Sequence, residues 1–235
     1  MNEFKILFGT DKGAIKHNCL ILPYLSRQLM IRLGIVNMPR GKLYAVAQAK
    51  NFSIIHTRMA PAFLGDAVLY LKDTPARNLM LFGSCGLVDK SQGLDIGDLV
   101  AAEKAYSFES FTQMLSEESK PGIYYPDGKM LDCLLRLKPR LKKVICATVG
   151  SLKLEDGNPI FNKYGINIAD MECSAFFAAS GYIKRAAAAI FYISDIIGKK
   201  PFYSKYGPAD KKAISRAVES AAEIICQISK NPRLS

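Results

Sequence analysis

At 235 residues, 49% of them hydrophobic and 23% charged, the chain is long enough for a sizeable core and too apolar for a disordered one. Its 32 Lys and Arg against 21 Asp and Glu leave a formal charge of +11, which admits nucleic acid, an anionic substrate or only a solvated surface. No run approaches the length of a membrane-spanning helix, and the opening MNEFKILFGTDKG lacks the basic start and cleavage site of a signal peptide, so no membrane partner is expected.

The elements alternate along the chain. FKILFG reads as a first strand ending at Gly9, and HNCLILPYLSRQLMIRL carries helical periodicity entered or broken at Pro23. KLYAVAQAKNFSIIHTRM reads as two strands about a turn at Lys50-Asn51. APAFLGDAVLYLKD has helical spacing through Ala62, Leu64, Ala67, Val68 and Leu71. The strand NLMLF stops at Gly83-Ser84-Cys85-Gly86, and GDLVAAEKAYSF is another strand. SEESKPGIYYPDGKM is a polar loop, followed by an amphipathic helix in KMLDCLLRLK and a strand in KKVICATVGS. ADMECSAFFAASGYIK reads as a helix and AAAAIFYISD as a strand. PADKKAISRAVESAAEIICQISK is a long terminal helix with Pro208 and Asp210 at its start. Strand and helix alternating with short links predict an α/β layered sandwich, and the absence of repeats and linkers predicts one domain over residues 1–235.

The six cysteines are scattered, with no C-x-x-C pair and no histidine at ligand spacing. That usage predicts a reducing cytoplasm and neither a disulfide framework nor a metal site. The densest basic cluster, RLKPRLKK at 136–143, has no interleaved aromatics and no accompanying nucleic-acid motif. A solvated face is the simpler account of it than a nucleic-acid patch. A positive field that attracts phosphate-bearing small molecules also remains open.

Strand ends in such sheets are where ligands bind, and three of them invite chemistry: Gly9-Thr10-Asp11, Gly83 to Gly86, and Ser194-Asp195. The Gly83–Gly86 turn is neither a phosphate-binding P-loop nor a nucleophile elbow, since no Gly-Lys-Ser/Thr follows and Phe82 stands where the elbow needs glycine. It reads as a tight turn with a buried Cys85, or as backbone N–H groups aimed at an anion. Glu172 sits among Met171, Cys173, Ala175, Phe176 and Phe177, where a carboxylate is costly unless paired. It could complement a helix dipole, as Asp170 would equally well, or hold sugar hydroxyls with both oxygens. Asp195 ends an apolar strand, as a turn residue or as a general acid of raised pKa.

Taken in order, LFGSCGLVDKSQGLDIGDLVAAEKAY, then NKYGINIADMECSAFFAAS, then IFYISD resemble the nucleoside phosphorylase/nucleosidase superfamily, which includes purine nucleoside and uridine phosphorylases and methylthioadenosine/S-adenosylhomocysteine nucleosidases. The stretch KYGINIADMECSAFFA is the most specific and is similar to bacterial purine nucleoside phosphorylases. The resemblance implies a three-layer α/β/α sandwich with a mixed, partly barrel-like central sheet. It implies cleavage of an N-glycosidic bond, of a purine nucleoside in preference, through a ribooxocarbenium-like transition state. By the same match Met171 and Glu172 bind ribose, Asp195 serves the purine N7 as the catalytic acid, and Gly83 and Ser84 hold phosphate or the attacking water. Met59 lies near a further sugar-contacting methionine, and Gly9 follows the first strand. No cofactor is implied beyond inorganic phosphate as a co-substrate. The partners implied are a small-molecule nucleoside and further copies of the chain, as a dimer or hexamer.

The departures concern the nucleophile. The arginine that phosphorylases carry two residues before the Gly-Ser turn is Leu81 here, and the second one, after the first-strand glycine, gives way to Lys12 and Lys16. The water-activating glutamate of the nucleosidases has no counterpart in that region, and their arginine before the final Asp is Phe191. Charge for a phosphate would have to come from Lys12, Lys16 or Arg58. The base-stacking phenylalanine falls in a shortened segment where Phe161 is the one substitute. Three readings therefore stand: an enzyme acting with phosphate or with water, a vestigial nucleoside-binding protein, and a basic nucleic-acid binder.

Overall fold

The computed structural model describes residues 3–88, 93–109 and 121–230; part of the polar loop expected over 116–130, and residues 89–92 after the glycine turn, lie outside the described residues. Nine strands form one sheet: β1 (Asn18–Leu22), β2 (Ala45–Gln48), β3 (Ser53–His56), β4 (Asn78–Leu87), β5 (Leu99–Phe108), β6 (Gly122–Tyr124), β7 (Lys142–Val149), β8 (Ile168–Asp170) and β9 (Ala186–Ile196). The order is β2-β3-β1-β4-β8-β7-β5-β6, and β9 pairs with both β4 and β5. That double pairing closes β4, β8, β7, β5 and β9 into a five-stranded barrel, with β1 to β3 extending from β4 as an open wing. β1, β4 and β9 run parallel, so their C-terminal ends lie on the same side of the sheet.

Helices cover both faces of the sheet, and a short α5 (Ile160–Tyr164) precedes β8. On one face lie α3 (Pro61–Tyr70) and α6 (Cys173–Tyr182), packed through Leu64, Val68, Phe176 and Phe177 against Ile21, Leu79, Leu81 and Ala189. On the other lie α2 (Arg27–Arg32), α4 (Gly128–Leu137) and α7 (Pro208–Ile228), packed through Leu29, Leu134 and Ile225 against Leu20, Met80 and Ile190. Neighbours along a strand, such as Leu20 and Ile21 or Met80 and Leu81, thus serve opposite layers, as the two-residue period of a strand requires. Both faces are buried, so these strands read as unbroken apolar runs. The three-layer α/β/α arrangement with a partly barrel-like sheet agrees with the expectation from sequence. No described helix is long and apolar enough to cross a membrane.

Three local readings are corrected. FKILFG is a helix, α1 (Glu3–Phe8), and not the first strand. Phe4 and Phe8, four residues apart, stack with ring centroids at 4.2 Å, and Phe8 lies 4.5 Å from Tyr44. A six-residue helix is marginal by itself, so this packing decides its conformation. The stretch read as helical around Pro23 divides into β1 and α2, with the Ser26 hydroxyl accepting the Leu29 N–H as N-cap. Finally, β4 does not stop at Gly83. It runs on to Leu87, paired with β9 throughout, with a bulge between Cys85 and Gly86.

Candidate active site

A cavity of about 440 Å³ opens where β1, β4 and β9 end. Tyr24 reaches it from beyond β1. Ser84, Cys85 and Gly86 come from β4, and Tyr192, Ser194 and Asp195 from β9. The pairing shifts there from Cys85–Ile193 to Gly86–Asp195, which makes Ser194 of β9 the extra residue and sets Gly86 opposite Asp195. A Cβ on Gly86 would lie 2.8 Å from Ile197 Cγ1 and 3.4 Å from Asp195 Oδ2, so glycine is what allows this approach. Gly83 does not line the cavity; its backbone packs beside the Phe191 ring. The segment is thus a continuous strand where a turn was expected from sequence, and Gly86 alone of the two glycines stands at the register shift.

Glu172 and Asp170 divide two tasks. Asp170 Oδ2 accepts the backbone N–H groups of Glu172 (2.9 Å) and Cys173 (2.7 Å), so Asp170 satisfies the N-terminus of α6. Its other oxygen accepts the Thr148 hydroxyl at 2.8 Å and the Cys146 thiol at 3.4 Å. Glu172 is released from capping and accepts the Ala60 N–H at 2.9 Å through Oε1. It is 7% exposed and lines the cavity. Burial, then the neighbouring Asp170 charge, raises its pKa well above the usual carboxylate range, while the Ala60 N–H opposes that rise.

The segment that meets Glu172 is strained. Arg58 has φ 70° and Ala60 φ 138°, neither of them glycine. Such conformations cost about 1–3 kcal/mol each and persist only where the surroundings impose them. Here they place Met59 at the cavity mouth, 61% exposed, and aim the Ala60 N–H at Glu172. Met59 thus joins Met171 and Glu172, which are distant from it in sequence, in the cavity lining.

Asp195 also lines the cavity, 5% exposed, with its Oδ1 2.6 Å from the Ser194 hydroxyl. Burial raises its pKa, against the hydrogen bonds from Ser194 and the Phe202 backbone. Beside it stands Glu155, which sequence reasoning missed. Glu155 is 9% exposed, and its carboxyl is pushed up to about 7 by burial, then by the charges of Asp195 and Asp156. Asn158 braces its loop, donating from Nδ2 to the Leu154 carbonyl at 3.0 Å and from its backbone N–H to the Glu155 carbonyl at 3.3 Å. No periodicity marks Glu155 in LKLEDGNP; the one available signal is an acid within a segment already singled out as shortened.

Ser84 faces the cavity and hydrogen-bonds Tyr192, which partly offsets the rise that burial gives that phenol. Cys85 lines the wall, but complete burial pushes its thiol well up, so it is no thiolate nucleophile at neutral pH. Cys146, Asp170 and Cys173 place their ligand atoms within 4.8 Å of one another. With both thiols raised by burial and Asp170 already accepting four hydrogen bonds, this set is a protonated network rather than a ready metal site.

Several residues singled out from sequence lie away from this cavity. Gly9 ends α1 at φ 74° against the backbone of Arg40 and Gly41, and it does not line the cavity. Lys16 donates to the carbonyls of Ala49 and Lys50, and Lys12 pairs with Asp73 at 3.7 Å. The cavity is lined by four carboxyl residues, Glu155, Asp170, Glu172 and Asp195, and among the described residues no Lys or Arg lines it. Leu81, where phosphorylases are expected to carry arginine, is fully buried in the core. Phe161 is buried in a separate cluster with Tyr106 and Phe108, and the aromatic side chains at the cavity are Tyr24, Tyr192 and Phe202.

The sequence model of the phosphorylase superfamily matches residues 38–230, and the chain belongs to that superfamily. No curated protein sequence matches it. Among solved structures it resembles a 5′-methylthioadenosine/S-adenosylhomocysteine nucleosidase of Campylobacter jejuni (TM-score 0.71, 15% identity, 93% of this chain and 100% of that one). It also resembles a uridine phosphorylase of Vibrio fischeri ES114 (TM-score 0.72, 19% identity, 92% of each chain). A third is an AMP nucleosidase of Bacteroides thetaiotaomicron (TM-score 0.70, 15% identity, 98% of this chain and 97% of that one). At these identities the three share the fold with this chain.

Proposed function

We propose that the chain hydrolyses the N-glycosidic bond of a purine-type nucleoside, with water rather than phosphate as nucleophile. One observation carries this reading: the cavity is lined by four carboxyl residues, with no Lys or Arg among its described lining residues. Each of these carboxyls that is ionised repels a unit negative charge about 5 Å away by roughly 3 kcal/mol at an effective dielectric near 20, and a phosphate dianion by twice that, while those that stay protonated offer an anion no cationic partner. The same field attracts the positive charge that grows on the ribose as the bond breaks.

In this reading Glu172 holds the ribose hydroxyls, and Met59 and Met171 pack on the sugar. At the base end Asp195, flanked by Glu155, gives a proton to a ring nitrogen. The bond electrons leave with the base, which departs as the neutral purine. A water adds to the anomeric carbon, and the proton it releases restores the carboxyl pair. A purine suits this acid pair because it offers a basic ring nitrogen, whereas uracil presents carbonyl oxygens and N–H groups. The homo-oligomer and the cytoplasmic setting expected from sequence belong to the same proposal.

Release of free base from adenosine, methylthioadenosine, inosine and uridine, with and without phosphate, tests it. Purine release independent of phosphate is expected. Strict dependence on phosphate would make the chain a phosphorylase, and binding without turnover would make it a vestigial binder.

A further inference from the structure

The excess positive charge converges on a second cavity. RLKPRLKK spans the C-terminus of α4 and the start of β7, and its Lys138, Arg140 and Lys142 line a cavity of about 380 Å³ together with Arg216 of α7. The four cations come from elements some 75 residues apart (Arg216 against Lys142, a difference of 74) and share a wall with one carboxylate, Asp98. Asp98 Oδ2 is engaged by the Asp95 N–H at 2.9 Å. Among the described residues no carboxylate is ion-paired with Lys138, Arg140 or Arg216. Among the described residues this cavity shares no lining residue with the cavity at Glu172 and Asp195.

Its walls are built rather than improvised. Lys138 is half-buried and donates to the Ser220 hydroxyl of α7 at 2.9 Å, which fixes one cation across the two elements. Gly97, at φ 87°, packs so closely on α7 that a Cβ there would lie 2.5 Å from that of Ala213. The loop carrying Asp98 is therefore held against the helix that carries Arg216. Among the described residues no aromatic side chain lines the cavity to stack a base, and the recognition on offer is charge and hydrogen bonding to oxyanions.

We propose that this cavity is a binding site for a small anion bearing two or more phosphate charges. Guanidinium groups suit phosphate oxygens bidentately, and the two ammonium groups add charge. A long nucleic acid is disfavoured because the cations face one concavity rather than a track with stacking platforms.

Titration calorimetry of the whole chain with pyrophosphate at constant ionic strength tests the site, with inorganic phosphate and a single-stranded oligonucleotide as further arms. Saturable binding of pyrophosphate, one per chain and stronger than that of phosphate, is expected. The Arg140→Ser/Arg216→Ser variant should weaken it about tenfold or more. Lys129→Ser/Lys163→Ser, which removes the same charge from exposed positions elsewhere, should leave it in place. Nucleoside turnover should be unchanged in both variants, so failure of the hydrolase reading and failure of this one are separable. The proposal is overturned by absent or unsaturable pyrophosphate binding, or by binding that survives the double arginine substitution. Loss of binding in Glu172→Gln would move the anion to the other cavity. An oligonucleotide that binds far more tightly than pyrophosphate, independently of Arg140 and Arg216, would move the surface to nucleic acid.

Discussion

Asp170 caps the helix that Glu172 precedes, with its Oδ2 2.9 Å from the Glu172 backbone N–H, and this leaves the Glu172 carboxylate free to reach the cavity. Either acid could have satisfied the helix terminus by charge alone. The hydrogen bonds assign that task to Asp170 and leave Glu172 to line the cavity.

Glu172→Gln should therefore lower turnover by at least ~10²-fold with little change in melting temperature, because the amide oxygen still accepts the Ala60 N–H while the charge facing the cationic ribose is gone. Steady-state kinetics with a thermal melt decides it. A near-wild-type rate with a lowered Tm would return Glu172 to a structural role.

Asp170→Asn should show the opposite balance. The amide cannot accept from both helix N–H groups, the Thr148 hydroxyl and the Cys146 thiol at once. A loss of about 2–3 kcal/mol in chemical unfolding is expected, the scale for buried donors left unpaired. An unchanged denaturation midpoint would contradict the capping assignment.

Asp195→Asn should slow purine release by roughly 10²-fold or more, since an amide donates a hydrogen bond but transfers no proton. A nitrophenyl riboside, whose leaving group needs no protonation, should lose little. Both substrates share the ribose contacts, so the ratio isolates the base end. Glu155→Gln is expected to shift the upper pH limit of purine turnover, because Glu155 titrates near 7 beside Asp195. Equal losses on both substrates would remove Asp195 from the acid role.

Stability should fall as pH rises. Glu155 is raised from 4.5 to about 7, and Glu172 is raised as well, in both cases chiefly by burial. Between the unfolded and folded values the native state holds more protons. The stabilisation is thus full below about pH 4.5 and is lost as pH climbs through about 7. On the order of 2 kcal/mol should separate pH 5.5 from pH 8, and the difference should shrink in Glu155→Gln/Glu172→Gln. A wild-type Tm that rises over this interval would contradict the buried-carboxyl account.

Gly86→Ala and Gly83→Ala form a contrast. The new methyl at 86 must displace Ile197 and press toward Asp195, whereas at 83 it would meet the Phe191 ring at an ordinary 3.6 Å. Gly86→Ala should cost roughly 1–3 kcal/mol and cut turnover about tenfold or more, and Gly83→Ala should do much less. Equivalent effects at the two positions would show that the bulge does not position the acid.

Periodicity alone was enough for the elements whose burial repeats along the chain. The alternation around Lys50-Asn51 became the β2-β3 hairpin, and the helical spacings became α3, α4 and α7. Glu172 and Asp195, which line the cavity, stood out in sequence as acids in apolar runs, Met171 beside them was named through the resemblance, and the ordered motifs pointed to the superfamily to which the chain belongs. FKILFG satisfies both periods, and only the stacking of Phe4 on Phe8 beside Tyr44 made it a helix, which took Gly9 away from the site. The bulge at Ser194 opposite β4, the strained turn at Met59, the entry of Glu155 and the meeting of Arg216 with Arg140 are likewise tertiary. Local sequence sets which side of an element is buried, but strand register and layer packing set which distant side chains meet. Whether this cavity repels or attracts a phosphate was decided at that second level.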